Sequence, residues 1–171
     1  MKKYVFFALV FIFASCVDGM ITFYVNDSTD TTIESSFPIN LPINIPIPPV
    51  STTATQEYEN NKTAPNLIEE VILEKLTVTI TNPSTEDFSV LKSVHIYMKK
   101  SDDSDKVEVA YLDNISSTAK SVDLICTEAN LVEYLREDSY KIDTEVEVKE
   151  YLLHDVDIHI DLKFNVTAKV L

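Results

Sequence analysis

The strict alternation of apolar and polar side chains near the end of this chain constrains its fold most strongly. It runs through residues 140–148 and again through residues 156–170. The repeating side chains are Tyr140, Ile142, Thr144, Val146 and Val148, then Val156, Ile158, Ile160, Leu162, Phe164, Val166, Ala168 and Val170. A period of two places them on one face of a β-strand, so each stretch predicts a strand half-buried against a core. We expect the two strands to form a hairpin.

Residues 71–81, "VILEKLTVTIT", predict another strand with an irregularity in it. The phase of the apolar alternation changes at Glu74 and Lys75. One extra residue in a strand produces such a change, so a β-bulge is expected there. Shorter alternating stretches in "SVHIYMKK", "KVEVAYL" and "AKSVDLICT" predict further strands.

One helix is expected among these strands. In "TEANLVEYLRED", Thr127 is a suitable cap, and Leu131, Tyr134 and Leu135 have helical spacing. Strands with polar outer faces and few helices are typical of antiparallel sandwiches. We therefore predict a mainly β chain, an antiparallel β-sandwich of about seven to eight strands with one or two short helices.

The stretch "FPINLPINIPIPP", residues 37–49, places apolar residues at odd positions and proline or asparagine at even ones. Proline lacks a backbone donor, and in an antiparallel strand residues of one parity direct their donors to the same side. The pattern favours an edge strand that packs on the core and pairs on one side only. A polyproline spacer is the alternative.

The chain begins with features of an export signal. Lys2 and Lys3 precede an uninterrupted apolar run from Tyr4 to Ala14. A helix needs about 20 residues to cross a hydrocarbon core, so this run is too short to span one. Residues 1–15 are therefore predicted to be a signal peptide and are excluded from the fold.

"FASC", residues 13–16, resembles the lipobox of bacterial lipoproteins, in which small residues precede a cysteine. Phe13 departs from the leucine usual in that family. In the family the cysteine is acylated and becomes the mature N-terminus, so the resemblance implies that Cys16 carries the lipid. It also implies a Gram-negative cell envelope, at the outer membrane, with the membrane reached through the N-terminal lipid. An ordinary signal peptide cleaved nearby is the alternative.

The polar composition after Cys16 predicts a domain boundary. "ITFYV" is long enough for a short strand, but the Ser, Thr and Asp residues after it are typical of a flexible linker. We assign residues 16–36 to a lipidated tether and residues 37–171 to the β-sandwich domain. "LTVTITNPS" resembles the late-embryogenesis-abundant and water-stress type of β-sandwich, which implies the same fold class.

The charge of the chain restricts its partners. Removal of residues 1–15 leaves 12 basic and 28 acidic residues, a net charge of −16. Such a surface repels nucleic acid and anionic lipid headgroups, so a nucleic-acid partner is not expected. With Cys16 acylated, Cys126 has no partner for a disulfide within the chain, and its apolar neighbours indicate a small buried side chain.

The sequence offers two weak metal-binding patterns. Asp155, Asp157, His159 and Asp161 share one face of the last predicted strand, and His154 or His95 are candidates for further ligands. A solvated strand face explains the same pattern. Asp102, Asp103 and Asp105 offer oxygen ligands for calcium, but they are also ordinary turn residues. We predict no metal site at either.

The sequence also bears on function through missing motifs. Gly19 is its only glycine, which excludes glycine-rich phosphate loops and the glycine-flanked serine elbow. No catalytic residue or cofactor is predicted. We expect a non-enzymatic binding, adhesion or assembly-supporting protein with a protein or glycan ligand. The alternatives are a metal-dependent envelope hydrolase and an acidic inhibitor or immunity-type lipoprotein for a basic partner.

Overall fold

Two antiparallel β-sheets face each other across an apolar core in the computed structural model, which describes residues 19–100 and 105–171. The predicted fold class, an antiparallel β-sandwich, is confirmed. The described residues form ten strands: β1 (Met20–Ile33), β2 (Pro42–Ile43), β3 (Val50–Ser51), β4 (Ile68–Asn82), β5 (Leu91–Lys99), β6 (Val107–Asp113), β7 (Ser121–Asp123), β8 (Ile125–Cys126), β9 (Ser139–Val148) and β10 (Val156–Lys169). They also form two α-helices, α1 (Ala54–Asn60) and α2 (Val132–Leu135).

The first sheet has the strand order β1-β10-β4-β7, and the second has the order β2-β9-β5-β6-β8, with β3 also paired to β9. Side chains that point inward from both sheets form one core. Its largest fully buried members include Tyr58, Tyr140, Phe164, Leu73 and Leu76. Burial of each such side chain stabilises the fold by about 1.5–3 kcal/mol, so this shared interior is the main source of stability.

The predicted hairpin of the last two long strands is wrong. β9 lies in the second sheet between β2 and β5, whereas β10 lies in the first sheet between β1 and β4. Residues 149–155 cross from one sheet to the other. The apolar faces of both strands are buried, as predicted, but they approach the core from opposite sides. Alternation identifies the buried face of a strand and does not identify its neighbours.

The predicted bulge in β4 is confirmed. Lys163 of β10 lies opposite Lys75, and Phe164 lies opposite Leu73, so Glu74 is the extra residue. After the bulge, the even-numbered residues of β4 face the core in place of the odd-numbered ones. As a result, Leu73 and Leu76 are both buried although they are three positions apart, an odd spacing that would place them on opposite faces of a regular strand.

The predicted tether is corrected by the structure. Residues from Met20 to Ile33 form β1, which pairs with β10 at fourteen positions. The polar run after Asn26 was predicted to be flexible from its composition, but β10 supplies its backbone with partners. Phe23 and Val25 point into the core. The sandwich therefore begins near residue 20 and not at residue 37.

The proline-rich stretch lies at the edge of the second sheet, as predicted, but it is not a continuous strand. Only β2 joins the ladder, with Pro42 opposite Glu147 and Ile43 opposite Val146. A turn at residues 39–40, where Asn40 has a φ of 56°, interrupts the extended backbone. The odd-numbered residues Phe37, Ile39, Ile43, Ile45 and Ile47 pack against the core, whereas Leu41 is exposed.

The helix predicted from Thr127 is shorter than expected. α2 begins at Val132, and the Thr127 hydroxyl donates to the backbone oxygen of Glu108 instead of capping a helix. Leu131 and Leu135 are buried, as their spacing predicted.

The earlier helix α1 was not predicted. It places Tyr58 in the core, where the phenol donates to the Leu135 backbone oxygen over 2.8 Å. Burial raises the pKa of Tyr58 to about 12, with the nearby Asp27 adding to the shift.

The two ends of the sandwich differ. The helix end holds α1, α2 and the beginning of β1, and it also holds the end of β10, because Met20 lies opposite Lys169. The loop end holds four connections, residues 34–41, 83–90, 114–120 and 149–155. The first residues of β1 and the loop end therefore lie at opposite extremes of the strands.

A buried carboxylate joins the two sheets on one side. Asp27 points inward from β1, an edge strand, and is 5% exposed. One carboxylate oxygen accepts from the Thr53 backbone N–H over 2.8 Å, and the other accepts from the Tyr140 hydroxyl over 3.2 Å. Burial, with the charge of Asp27 beside it, raises the pKa of Tyr140, so the phenol keeps its proton. An inward-pointing charge also discourages unwanted pairing at a sheet edge.

We expect Asp27→Ala to lower the free energy of unfolding by about 2–4 kcal/mol, because the change leaves two donors, the Thr53 N–H and the Tyr140 hydroxyl, without their acceptor. Urea denaturation of the variant measures the effect. Ser28→Ala, an exposed position on the same strand, is the control and should change stability by less than about 0.5 kcal/mol. Equal unfolding midpoints for the two variants would contradict the role of Asp27.

Candidate functional site

His159 lies on the exposed outer face of the first sheet, between two carboxylates. Its Nδ1 is 2.8 Å from Asp30 Oδ1 on β1, and its Nε2 is 3.2 Å from Asp161 Oδ1 on its own strand. The hydrogen bond to Asp30 raises the pKa of His159, with the charges of Asp161 and Asp30 acting in the same direction. The His159 ring therefore connects β1 to β10.

The other carboxylates of this strand do not converge on His159. Asp155 accepts from the backbone N–H and the hydroxyl of Ser35, both over 2.8 Å. Asp157 accepts from the Thr32 hydroxyl over 2.8 Å and from the Asn82 amide over 3.3 Å. These contacts tie β10 and its preceding loop to neighbouring segments. Across residues 19–100 and 105–171, no three His, Cys, Asp or Glu side chains are grouped so that they could hold a metal ion.

His95 lies on the outer face of the second sheet and is also held by two carboxylates. Its Nδ1 is 2.6 Å from Glu108 Oε1, and its Nε2 is 3.2 Å from Asp113 Oδ1. The hydrogen bond to Glu108 makes the largest contribution to the raised pKa of His95. The ring stacks on Tyr111 with 5.9 Å between centroids. Because His95 and His159 lie on opposite outer faces of the sandwich, they cannot contribute to one metal centre.

Three of the residues singled out in the sequence lie outside the described structure, and two others are found away from any site. Cys16, Asp102 and Asp103 fall outside residues 19–100 and 105–171. The third acidic residue of that turn, Asp105, is 3.3 Å from the Lys100 ammonium and accepts from the Tyr134 hydroxyl through its backbone oxygen. Cys126 is half-buried in β8, and burial raises the pKa of its thiol, which disfavours a nucleophilic thiolate.

A small apolar cavity of about 30 Å³ lies between the sheets. Ile158, Phe88 and Leu91 are among its lining residues. Its one polar lining side chain, Thr144, already donates to the Ile45 backbone oxygen over 3.3 Å. The cavity is therefore a packing gap and not a ligand site.

A more distinctive feature is a group of exposed apolar side chains at the loop end, which we call the loop-end cluster. It consists of Leu41, Tyr151 and Leu153, which are 57%, 69% and 80% exposed. Two contacts hold the segments that carry them side by side: the Asn40 N–H donates to the Val148 backbone oxygen over 2.7 Å, and Ser35 binds Asp155. Exposed apolar side chains on neighbouring segments are typical of interaction surfaces when they form one patch.

The rim of the loop-end cluster is acidic. Glu34, Glu150 and Asp155 are exposed on the two segments that carry the cluster. Two basic residues lie on these segments: Lys149 is directed elsewhere, because its ammonium donates to the Ile115 backbone oxygen over 2.8 Å, and His154 is exposed beside Asp155. The surface therefore combines apolar contact area with negative charge.

Sequence reasoning missed the loop-end cluster, although the sequence contains a signal for it. In "EYLLHD" the alternation breaks, and Leu152 and Leu153 are adjacent. Only one of two adjacent side chains in extended backbone can face the core. Leu152 does so at 7% exposed, which leaves Leu153 in solvent.

Comparisons with known proteins add little. No family model matches the chain, and no curated protein sequence matches it. Among solved structures, it is similar to a chain from Desmodium yellow mottle tymovirus, with 12% identity over 99% of this chain and 97% of that chain and a TM-score of 0.33. A TM-score this low supports no inference about function. Among the described residues, no helix is long and apolar enough to cross a membrane.

We expect stability to fall as pH rises from about 6 to 8. A histidine whose pKa is raised by folding stabilises the fold below its ordinary value near 6.5, and that contribution is lost as pH rises through the folded value. The pKa values of both His95 and His159 are raised in the folded chain, so both histidines contribute in this direction. Urea unfolding at pH 5.5 and pH 8 measures the difference. His95→Gln and His159→Gln should each remove part of it, and an undiminished pH dependence in the double variant would show that other groups cause it.

Proposed function

We propose that this chain is a non-enzymatic, lipid-anchored protein of a Gram-negative cell envelope that binds a protein partner through the loop-end cluster. The observation that carries the proposal is the gathering of Leu41, Tyr151 and Leu153 at the end of the sandwich farthest from the beginning of β1. A chain attached to a membrane through Cys16 presents that end outward. The lipobox-like "FASC" supports the anchor.

The chemistry of the cluster indicates what kind of partner it fits. Exposed leucine and tyrosine side chains suit an apolar pocket, and aromatic side chains are enriched in binding hot spots. The acidic rim, with Glu34 and Glu150, favours a partner whose rim is basic. This charge also favours a more specific second candidate, an inhibitor or immunity-type lipoprotein that neutralises a basic protein.

A metal-dependent hydrolase centred on His159 is the remaining alternative. It requires His159 to exchange Asp30 or Asp161 for a metal ion, since both ring nitrogens are within hydrogen-bonding distance of these carboxylates. Metal analysis of protein purified without chelators tests it. A stoichiometric bound ion that is lost in His159→Gln would favour the hydrolase over the binding protein.

The anchor is tested by the intact mass of protein extracted from its native membrane. We expect a mature chain that begins at Cys16 and carries a diacylglyceryl group and a further acyl chain. Cys16→Ser should yield an unacylated chain that no longer floats with membranes. A wild-type mass that corresponds to an unmodified N-terminus would contradict lipid anchoring.

The binding surface is tested by introducing a charged side chain at one of its apolar positions. We expect Leu153→Asp to weaken capture of the partner at least tenfold, because loss of a hot-spot side chain costs about 2 kcal/mol or more. Co-purification from detergent-solubilised envelopes at low and high salt measures this, and added salt should also weaken capture. Ile125→Asp, an equivalent change at an exposed apolar residue of β8 outside the loop-end cluster, is the control. Equal losses in both variants would contradict a role for the loop end.

A further inference from the structure

We infer that the helix end of the sandwich lies directly on the lipid bilayer, with an apolar surface formed by Met20, Val170 and Leu171 in its interfacial region. The inference rests on the proposed lipidation of Cys16. It concerns a different surface from the loop-end cluster, and it names lipid as the partner of that surface.

The spacing between the anchor and the sandwich sets the distance. Met20 is the fourth residue after Cys16, and four residues span at most about 14 Å when fully extended. From Met20 onward the chain is fixed in the first sheet, since Met20 already pairs with Lys169. The tether predicted for residues 16–36 would have allowed about 70 Å at the same rise per residue. The pairing of β1 removes that freedom and brings the helix end to the membrane surface.

The surface that reaches the membrane is apolar at its centre. Met20, Val170 and Leu171 are 58%, 39% and 82% exposed. Two backbone hydrogen bonds hold residues 170 and 171 at the helix end: the Val170 N–H donates to the Gly19 oxygen over 3.1 Å, and the Leu171 N–H donates to the Lys62 oxygen over 2.9 Å. Met20 lies at the same end of the first sheet, opposite Lys169. These three are among the eight large apolar side chains exposed in the described residues; three others form the loop-end cluster.

Charge around this surface permits the contact despite the acidic net charge. Lys62 and Lys169 flank the three apolar residues, and the Lys169 ammonium is 2.7 Å from Glu69. This ion pair offsets the charge of the Glu69 carboxylate beside the apolar residues, and the stem of a lysine in such a position can lie along an apolar interface. The loop-end cluster, with its acidic rim, lies at the other end of β10, fourteen residues or about 45 Å away along the strand. The strands therefore run at a steep angle to the plane of the bilayer, and the loop end lies on the side away from it. We call this the upright orientation.

The absence of tryptophan from the sequence gives a direct test. Met20→Trp and Val170→Trp each place a single reporter in the proposed contact, and Tyr151→Trp places one in the loop-end cluster as the matched control. Each protein is purified in its lipidated form and reconstituted into vesicles of phosphatidylcholine with bromine on the acyl chains. We expect blue-shifted emission and at least twofold quenching at positions 20 and 170, and no quenching at position 151.

The possible outcomes separate this inference from the proposed function. Protein that carries the lipid and floats with vesicles, but shows no quenching at positions 20 and 170, would overturn membrane contact and leave the anchor intact. Quenching at position 151 as well would overturn the upright orientation. A chain without lipid that does not float would overturn both proposals. Unfolding midpoints in detergent confirm that each variant is folded, and the two reporter positions guard against the failure of one.

Discussion

The pairing of β10 along both of its edges is the constraint on which the rest of the structure depends. It lies between β1 and β4 over almost its whole length, and its inward side chains, such as Phe164 and Val166, are completely buried. Because β1 is drawn into the sheet at fourteen positions, a polar segment becomes part of the domain. The same pairing places the first residues of β1 beside the end of β10 and so determines at which end of the sandwich the chain enters the domain.

Repulsion between acidic side chains on neighbouring strands opposes the formation of the sheets in this chain. Ion pairs and hydrogen bonds between side chains of adjacent strands offset that repulsion. His159 and His95 each hold two carboxylates, and Lys163 reaches Glu74 across the bulge over 2.8 Å. Exposed pairs of this kind contribute little individually. Their value is that they relieve repulsion between neighbouring strands. Asp27 is different, because its carboxylate is buried and fully used in joining the two sheets.

The sequence predicted features that depend on neighbouring residues and missed those that depend on distant partners. The bulge at Glu74 and the buried faces of β9 and β10 follow from side-chain alternation within one segment. The location of β1 does not, since "NDSTDTT" has the composition of a linker until β10 pairs with it. "AKSVDLICT" shows the same limit: it was predicted to be one strand, but Ser121–Asp123 joins the first sheet and Ile125–Cys126 the second. Of the candidate sites, the hydrogen-bonding partners of His159 and the placement of the segments that carry Leu41 and Leu153 side by side both required the tertiary structure.

The distance along the chain between β1 and β10 also determines the order in which the first sheet can form. Thr32 and Asp157, which are hydrogen-bonded in the sheet, are 125 residues apart in sequence. A chain that emerges from its N-terminus delivers β1 first and its partner strand last. Until β10 has emerged, β1 has no strand to pair with. Under the proposed lipidation of Cys16, acyl transfer and signal cleavage would therefore precede closure of the sandwich.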